Sequence, residues 1–338
     1  MTNAARVRAH DRLAALSTAR LPLPDVFDEA QEILARALPR EASCWHSVDP
    51  ASLVETRYSA ERMPPPTVQV AEIAYLADDY NSFVELANGP RHSGLLSEAT
   101  GGDPRRSLRF RELIEPAGMR GELRAAFVVD GVSWGCVSFF REGDFDADDR
   151  DFAELVGPLL GLCFRAAGIH ARPTGPAADL WPGVITFDAR RAVESYTPAT
   201  ANWLREFGFA GSPALDRLPF EVMTLVERVR GTAHETSARA LGESGRWIRI
   251  HAAPATHERV TVVLQAAAVP SIAPLISAAY GLTPRERELT ELVLQGCDTR
   301  AIAARMELSP YTVQSHLKSI FAKVGVRSRG ELVGRING

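Results

Sequence analysis

Apolar residues recur at helical spacing through residues 282–338 and at a spacing of two in several earlier stretches. In the tail this predicts four short helices. Thr283 caps the first, with Pro284 at its first position and Glu286 three residues after the cap, the capping-box spacing. Leu289, Leu292 and Val293 form its apolar stripe, and Gly296 ends it. Asp298 caps a second helix, whose Ile302 and Met306 lie four apart on one face. Ser309 and Pro310 open a third, with Val313, Leu317, Ile320, Phe321 and Val324 at helical spacing and Gly325 as its stop. A fourth runs from about Ser328 towards Ile336.

Upstream, residues 21–167 read as α+β. Two β-rich runs flank Asp130-Gly131 in ELRAAFVVDGVSWGCVSFF, a pairing that predicts a hairpin with a type I′ turn. A long helix follows from Asp146, with Phe152, Leu155, Val156, Leu159 and Leu160 as its stripe. After a Pro/Gly-rich linker at 170–178, residues 180–268 form a second α+β portion. There GVITFD and AVESYT pair across a turn at Ala189-Arg190-Arg191. A short helix opened by Thr197 and Pro198 runs through Asn202-Trp203-Leu204, and WIRIHAAP and RVTVVLQAA supply further strands. A second linker spans 267–280. The chain has no internal repeat and no heptad pattern long enough for a coiled coil.

Composition narrows the class. At 46% hydrophobic and 24% charged residues, the 338-residue chain is of globular type and of a length for two or three domains. It has no run of eighteen apolar residues to span a membrane. Arg6, Arg8 and Arg12 precede no apolar core, so neither a secretory signal nor membrane attachment is expected. Cys44, Cys136, Cys163 and Cys297 lie far apart, which fits buried thiols in a reducing cytoplasm. The net charge of −4 is unevenly spread. Residues 282–338 carry nine basic and six acidic side chains, a net of +3, which leaves −7 for the remainder. A basic tail on an acidic body fits a DNA-binding module attached to something that does not bind DNA.

The tail segment LTPRERELTELVLQGCDTRAIAARMELSPYTVQSHLKSIFAKVGVRSR resembles the LuxR/FixJ-type helix-turn-helix. It holds that family's LTxRE opening, its GxxxxxIA step and its SxxTVxxHxxxIxxKxGVxSR run. The Asp130-Gly131 hairpin and the helix after it resemble the end of a GAF domain, and VITFDARRAVESYTPATANWL resembles a PAS-like opening. The resemblances imply a multidomain chain: an α+β GAF-like domain, an α+β PAS-like domain and an all-α four-helix LuxR-type helix-turn-helix. The expected divisions are 1–20, an N-terminal helical segment; 21–168, the GAF-like sensory or dimerisation domain; 178–268, the PAS-like domain; 269–280, a linker; and 281–338, the DNA-binding domain.

The function implied is sequence-specific DNA binding by a cytoplasmic transcription regulator. In the family, the positions of Gln314, Ser315 and Lys318 reach base edges in the major groove. Glutamine matches adenine N6 and N7, and lysine matches guanine O6 and N7. Many relatives carry lysine where Gln314 stands, so a changed base preference is expected. Tyr311, Thr312, Lys323, Arg327, Ser328 and Arg329 are the candidate phosphate contacts, which position a protein without reading sequence. His316 flanks the apolar stripe and is expected to pack. Arg300 and Arg305 fit either phosphate contact or plain solvation. Double-stranded DNA with an imperfect palindromic operator and a second copy of the chain are the expected partners; RNA polymerase and a small-molecule effector are further candidates.

GxxxxGK[ST], HExxH and GxSxG are all absent, and no receiver-type acidic cluster stands out. No enzyme activity, cofactor or metal is therefore expected. His46, close to Cys44 in a predicted strand, reads as a packed histidine rather than a haem or metal ligand. Two alternatives stay open: an enzymatic front half, and a purely structural one. A σ-factor reading shares the LTPRE and IA features, but HLKSIFAKVGVRSR favours LuxR.

Overall fold

A computed structural model describes residues 2–63, 66–76, 79–170, 181–211, 213, 218–268, 277 and 279–337. The linker expected at 170–178 lies outside these residues from 171 onward, as does most of the one expected at 267–280. The chain forms two compact units, Met1–Ala266 and Ala267–Gly338. Among the described residues no helix is long and apolar enough to cross a membrane.

The first unit holds two five-stranded antiparallel sheets. One contains β1 (Ala42–Val48), β2 (Glu55–Glu61), β3 (Ser93–Leu95), β4 (Gly121–Val129) and β5 (Val132–Arg141), in the order β2-β1-β5-β4-β3. The other contains β6 (Gly183–Phe187), β7 (Val193–Tyr196), β8 (Thr236–Leu241), β9 (Trp247–Pro254) and β10 (Val260–Ala266), in the order β7-β6-β10-β9-β8. Each sheet thus places its own strands second, first, fifth, fourth, third. The predicted strand pairs all form. The β4–β5 hairpin turns at Asp130 and Gly131, with φ of 52° and 72°, the two left-handed residues that a type I′ turn requires.

Helices α1 (Thr2–Leu16), α2 (Leu23–Leu34) and α6 (Ala147–His170) cover one face of the first sheet. Trp45, Phe127, Phe139 and Phe164 meet there, with ring centroids 5.2–5.8 Å apart. The Cys163 thiol donates to the Leu13 carbonyl at 3.7 Å, tying α6 to α1. Period 2 thus sends the odd-numbered β1 residue Trp45 to this layer, and its neighbours Cys44 and His46 to the opposite face.

The α6 stripe needs one correction. Phe152, Val156 and Leu160 are buried, but Leu155 is 59% exposed. Sheet and α1 together occupy a narrower arc of α6 than the predicted stripe, and Leu155 is left beside exposed Val7 on a shallow groove.

Helices α3 (Val68–Leu76) and α4 (Phe83–Asn88) lie over the other face of this sheet, together with α5 (Leu96–Ala99) and a π-helical turn at Phe110–Ile114. The second sheet carries α7 (Thr200–Arg205) and α8 (Phe220–Thr232), and Trp203 of α7 and Val226 of α8 share a core with Ile185, Phe187, Ile250 and Val262 of the strands. Helix α8 has neighbours on two sides: the second sheet, and α3 with β2 from the first portion. Val54 and Ala71 of the first portion accordingly belong to the second core.

Burial of α8 takes two carboxylates with it. Glu227 accepts from Arg191 Nε at 2.9 Å, and Arg191 also binds Glu72 of α3. Asp49 accepts from Arg239 of β8 at 2.6 Å. Glu221 is fully buried, and desolvation pushes its carboxyl up to about 7. The two sheets are therefore joined by apolar packing and by ion pairs.

Gly135 of β5 sits where this packing leaves no room. A Cβ there would lie 2.8 Å from the His46 carbonyl oxygen and 2.8 Å from the Phe164 ring. Gly135→Ala is expected to destabilise the first unit by roughly 1–3 kcal/mol through overpacking. Chemical denaturation followed by circular dichroism reads this as a lower midpoint; an unchanged midpoint would show that the sheet and α6 relax freely.

Candidate nucleic-acid interface

The second unit is built from α9 (Pro284–Leu294), α10 (Thr299–Arg305), α11 (Pro310–Val324) and α12 (Arg329–Asn337). All four predicted helices form, and their ends follow from local chemistry. The Thr283 hydroxyl accepts from Glu286 N, and the Glu286 carboxylate accepts from Thr283 N, a complete capping box. Asp298 accepts from Ala301 N at 2.8 Å, and Ser309 from Thr312 N at 3.0 Å. Gly325 ends α11 with φ of 71°, a left-handed C-cap that suits glycine. Ser328 accepts from Glu331 N at 3.1 Å and starts α12.

These helices close around Leu289, Val293, Ile302, Val313, Ile320 and Leu332. Leu292 and Phe321, predicted as core, are only partly buried against it. Arg285 reaches from α9 to the Met306 carbonyl and so ties α9 to the turn between α10 and α11.

The outward face of α11 carries the predicted base-reading set. Gln314, Ser315 and Lys318 are all exposed, one to four residues apart on one side of the helix, while Val313 and Leu317 are buried on the other. Gln314 Nε2 donates to the Thr299 hydroxyl at 3.2 Å, a contact that anchors the amide against the start of α10. Tyr311 is 85% exposed at the head of the helix, so the fold makes no use of its ring. Thr312 is half-buried, its hydroxyl 2.8 Å from that of Ser309. Arg327 is exposed. Arg329 is half-buried, and its Nε and Nη2 lack hydrogen-bond partners. His316 is half-buried beside the stripe. Arg300 is exposed, and Arg305 Nη1 lies 3.3 Å from both Gln295 Oε1 and Cys297 Sγ.

Lys323 has an intramolecular role that spacing did not reveal. Its Nζ lies 2.6 Å from Glu286 Oε2 and 3.2 Å from the Gly281 carbonyl. Glu286 Oε1 accepts from Ser319 Oγ at 2.7 Å. One buried carboxylate thus serves the cap of α9 and grips two residues of α11. The capping-box spacing made Glu286 legible in the sequence. Ser319 and Lys323 carried no signal, because they reach Glu286 only through the fold.

Burial alone would raise the Glu286 carboxyl, but the donors Lys323, Thr283 and Ser319 outweigh it and hold it down at about 2. Its contribution to stability is therefore complete above the ordinary carboxylate value of about 4.5 and is lost as pH falls from there towards about 2. Glu286→Ala is expected to cost roughly 2 kcal/mol, from a lost cap and lost charge-assisted hydrogen bonds. Melting curves of wild type and variant between pH 2 and pH 7 should converge at the acid end. A constant gap across that range would remove Glu286 as the titrating group.

Residues 281–335 match the family model for bacterial regulatory proteins of the luxR family. A helix-turn-helix transcriptional regulator of Mycobacterium tuberculosis is 48% identical over 52 residues, which cover 15% of this chain and 6% of that protein. The monoamine regulon transcriptional regulator of Klebsiella aerogenes is 44% identical over 54 residues, covering 16% and 24%. The nitrate/nitrite response regulator NarL of Escherichia coli is 40% identical over 50 residues, covering 15% and 23%. The chain therefore spans between 6% and 24% of the length of these relatives. Among solved structures, the Vibrio cholerae VqmA dimer aligns with 46% of this chain and 82% of its own at 17% identity, with a TM-score of 0.23, a likeness too slight to build on. The sequence match, the four capped helices and the exposed face of α11 converge on one identification: residues 281–335 are a helix-turn-helix DNA-binding domain of the luxR family of bacterial regulatory proteins.

Proposed function

We propose that the whole protein is a sequence-specific, DNA-binding transcription regulator, acting in the cytoplasm and without enzymatic activity of its own. The observation that carries this reading is the two-sidedness of α11. Its inner face is the core of a luxR-family domain, and its outer face offers Gln314, Ser315 and Lys318 to a major groove. Tyr311, Thr312, Arg327, Ser328 and Arg329 flank that face at the ends of α11 and α12 and are the phosphate-contact set. Lys323 shares the role only if its ammonium serves Glu286 and a phosphate together. The first unit is the sensory half, a GAF-like portion over 21–168 and a PAS-like portion over 178–268; two sheets with one strand order support that division. Residues 1–20 supply α1, which packs with α6. A small-molecule effector and RNA polymerase are the proposed further partners.

The regulator acts as a dimer on an imperfect palindrome in this reading, since two-fold proteins read two-fold sites. Most of α6 is occupied by α1 and its own sheet, so the surface left for pairing centres on exposed Val7 and Leu155. Sedimentation is expected to give a dimer at tens of micromolar, and Leu155→Glu to shift it towards monomer. A wild-type monomer both free and on DNA would remove the dimer from this reading.

Duplex selection from a random pool, followed by a salt series, separates the contact classes. Gln314→Ala and Lys318→Ala are expected to relax preference at individual bases, by about 1–3 kcal/mol for each lost bidentate contact. Arg327→Ala should weaken all sequences alike and reduce the salt slope by roughly one. Lys323→Ala also breaks the Glu286 contact, so it should lower melting temperature as well as affinity. If Gln314→Ala and Lys318→Ala leave the ratio of selected to random affinity unchanged in folded protein, α11 does not read bases.

A further inference from the structure

The face of the first sheet turned away from α6 encloses a cavity of about 290 Å³. That is space for about ten water-sized groups and lies at the small end of ligand pockets. Its floor is the sheet, with Cys44, His46, Tyr58, Arg124 and Ser138. Its roof is α3, and Phe220 of α8 closes one side. Met63, Val70, Ile73, Ile114, Met119 and Phe140 make much of the remaining wall apolar, which favours an apolar body in any guest.

Arg124 on the floor has a donor that the fold leaves unused. Its guanidinium stacks on Phe83, with Cζ 4.4 Å from the ring centroid. Nε donates to Glu122 Oε1 and to Ser138 Oγ, both at 3.1 Å, and Nη1 donates to the Asn81 carbonyl at 3.3 Å. Nη2 makes no hydrogen bond among the described residues, yet it is not sealed in, and 12% of the side chain stays accessible. His46 Nδ1 lies on the same floor and also lacks a partner, but it has no accessible surface, so no guest reaches it. Arg124 borders this cavity and a crevice of about 40 Å³, which is too small for an organic guest.

The charges in the wall select the sign of the guest. Arg109 also lines the cavity and is fully committed: it donates to Glu122 at 2.8 Å, to Asp79 at 3.3 Å and to the Tyr80 carbonyl at 3.0 Å. Glu122 and Asp79 do not line the cavity, so the wall shows two guanidiniums and not their counter-ions. Glu55 is the only acid among the described lining residues, and burial pushes its carboxyl up to about 7. An anion on Arg124 therefore gains a charge-assisted hydrogen bond and meets a carboxyl that readily keeps its proton. A cation in the same place would face both guanidiniums.

We propose that this cavity is an effector site for an aliphatic monocarboxylate, whose carboxylate accepts from Arg124 Nη2 and whose chain lies along the apolar wall under α3. Space for about ten heavy atoms corresponds to a chain of about eight carbons. That the guest acts as an effector rests on reading the first unit as sensory. Helix α3 supplies the transmission. Val70, Ile73 and Ala74 line the cavity, while Ala71 packs into the α8 core and Glu72 pairs with Arg191. A guest that displaces α3 therefore acts directly on α8 and the second sheet.

The probe is octanoate, with octanamide and octylamine as its uncharged and cationic counterparts. Equilibrium dialysis of the full-length protein is expected to give one octanoate per chain. Octanamide and octylamine should bind at least tenfold more weakly, and so should dodecanoate, whose chain outgrows the space. Arg124→Met removes the donor but keeps an unbranched side chain, and should bring octanoate down to the affinity of octanamide. Ile73→Trp fills the cavity and should abolish binding. Melting temperature checks the folding of both variants; if Arg124→Met does not fold, the wild-type series and Ile73→Trp decide. Octanoate that does not bind, either counterpart binding as well as octanoate, tighter dodecanoate, or undiminished octanoate binding in folded Arg124→Met or Ile73→Trp would overturn the proposal. DNA affinity with and without octanoate separates the site from the sensory reading. Binding that Ile73→Trp abolishes but that leaves DNA affinity unchanged supports the cavity and refutes the sensory role of the unit. DNA affinity that changes equally in wild type and Ile73→Trp refutes the cavity as the effector site.

Discussion

The geometry of the DNA-binding unit depends on one buried carboxylate. Glu286 closes the capping box of α9 and at the same time holds Ser319 and Lys323 on α11. A reading helix must present its outer side chains at a fixed rotation and depth, and apolar packing alone tolerates some sliding. Hydrogen bonds to a charged, buried acceptor are directional, so the contact sets the rotation of α11 about its own axis. Gln314 is positioned in turn by Thr299, which joins the outer face of α11 to the start of α10. Helix α11 is thus held from both of its sides.

Lys323 illustrates how one residue type serves two ends. A lysine near the C-terminus of such a helix looks like a phosphate contact, and its charge suits that use. Here the ammonium already meets a carboxylate at 2.6 Å, so part of its worth is structural. Arg327 and Arg329 have no such commitment. Arg327 is exposed, whereas the Nε and Nη2 of Arg329 are buried and lack partners within the described residues. Of the two, Arg327 can be changed with less disturbance of the packing within the unit.

In the first unit the governing constraint is the shared use of α8. A helix buried on two sides needs apolar residues around most of its circumference, and the two carboxylates it carries inward are accommodated differently. Glu227 is neutralised by Arg191, whereas burial pushes Glu221 up to about 7. The consequence is mechanical. Helix α3 forms the roof over the first sheet and one wall of the second core, so a change in the space beneath it reaches the second sheet within a single helix diameter.

Much of this was legible in the sequence because it depends on neighbours along the chain. The four tail helices follow from Thr283, Asp298, Ser309 and Gly325, each acting on backbone within a few residues. The Asp130-Gly131 turn and the strand pairs it joins are local in the same sense, and so is the outward set of Gln314, Ser315 and Lys318. Tertiary structure decided what depends on which surfaces meet. Leu155 has the spacing of a core residue and is exposed, because α1 and the sheet cover a narrower arc of α6 than its apolar pattern offers. His46 was rightly read as a packed residue, yet only the fold brings Tyr58 and Phe220 against its ring. Lys323 meets Glu286 across thirty-seven positions of chain. Local sequence determined the elements and their ends, since caps, turns and periodicity act at short range; the partners of their side chains were settled by long-range packing, which no spacing along one chain encodes.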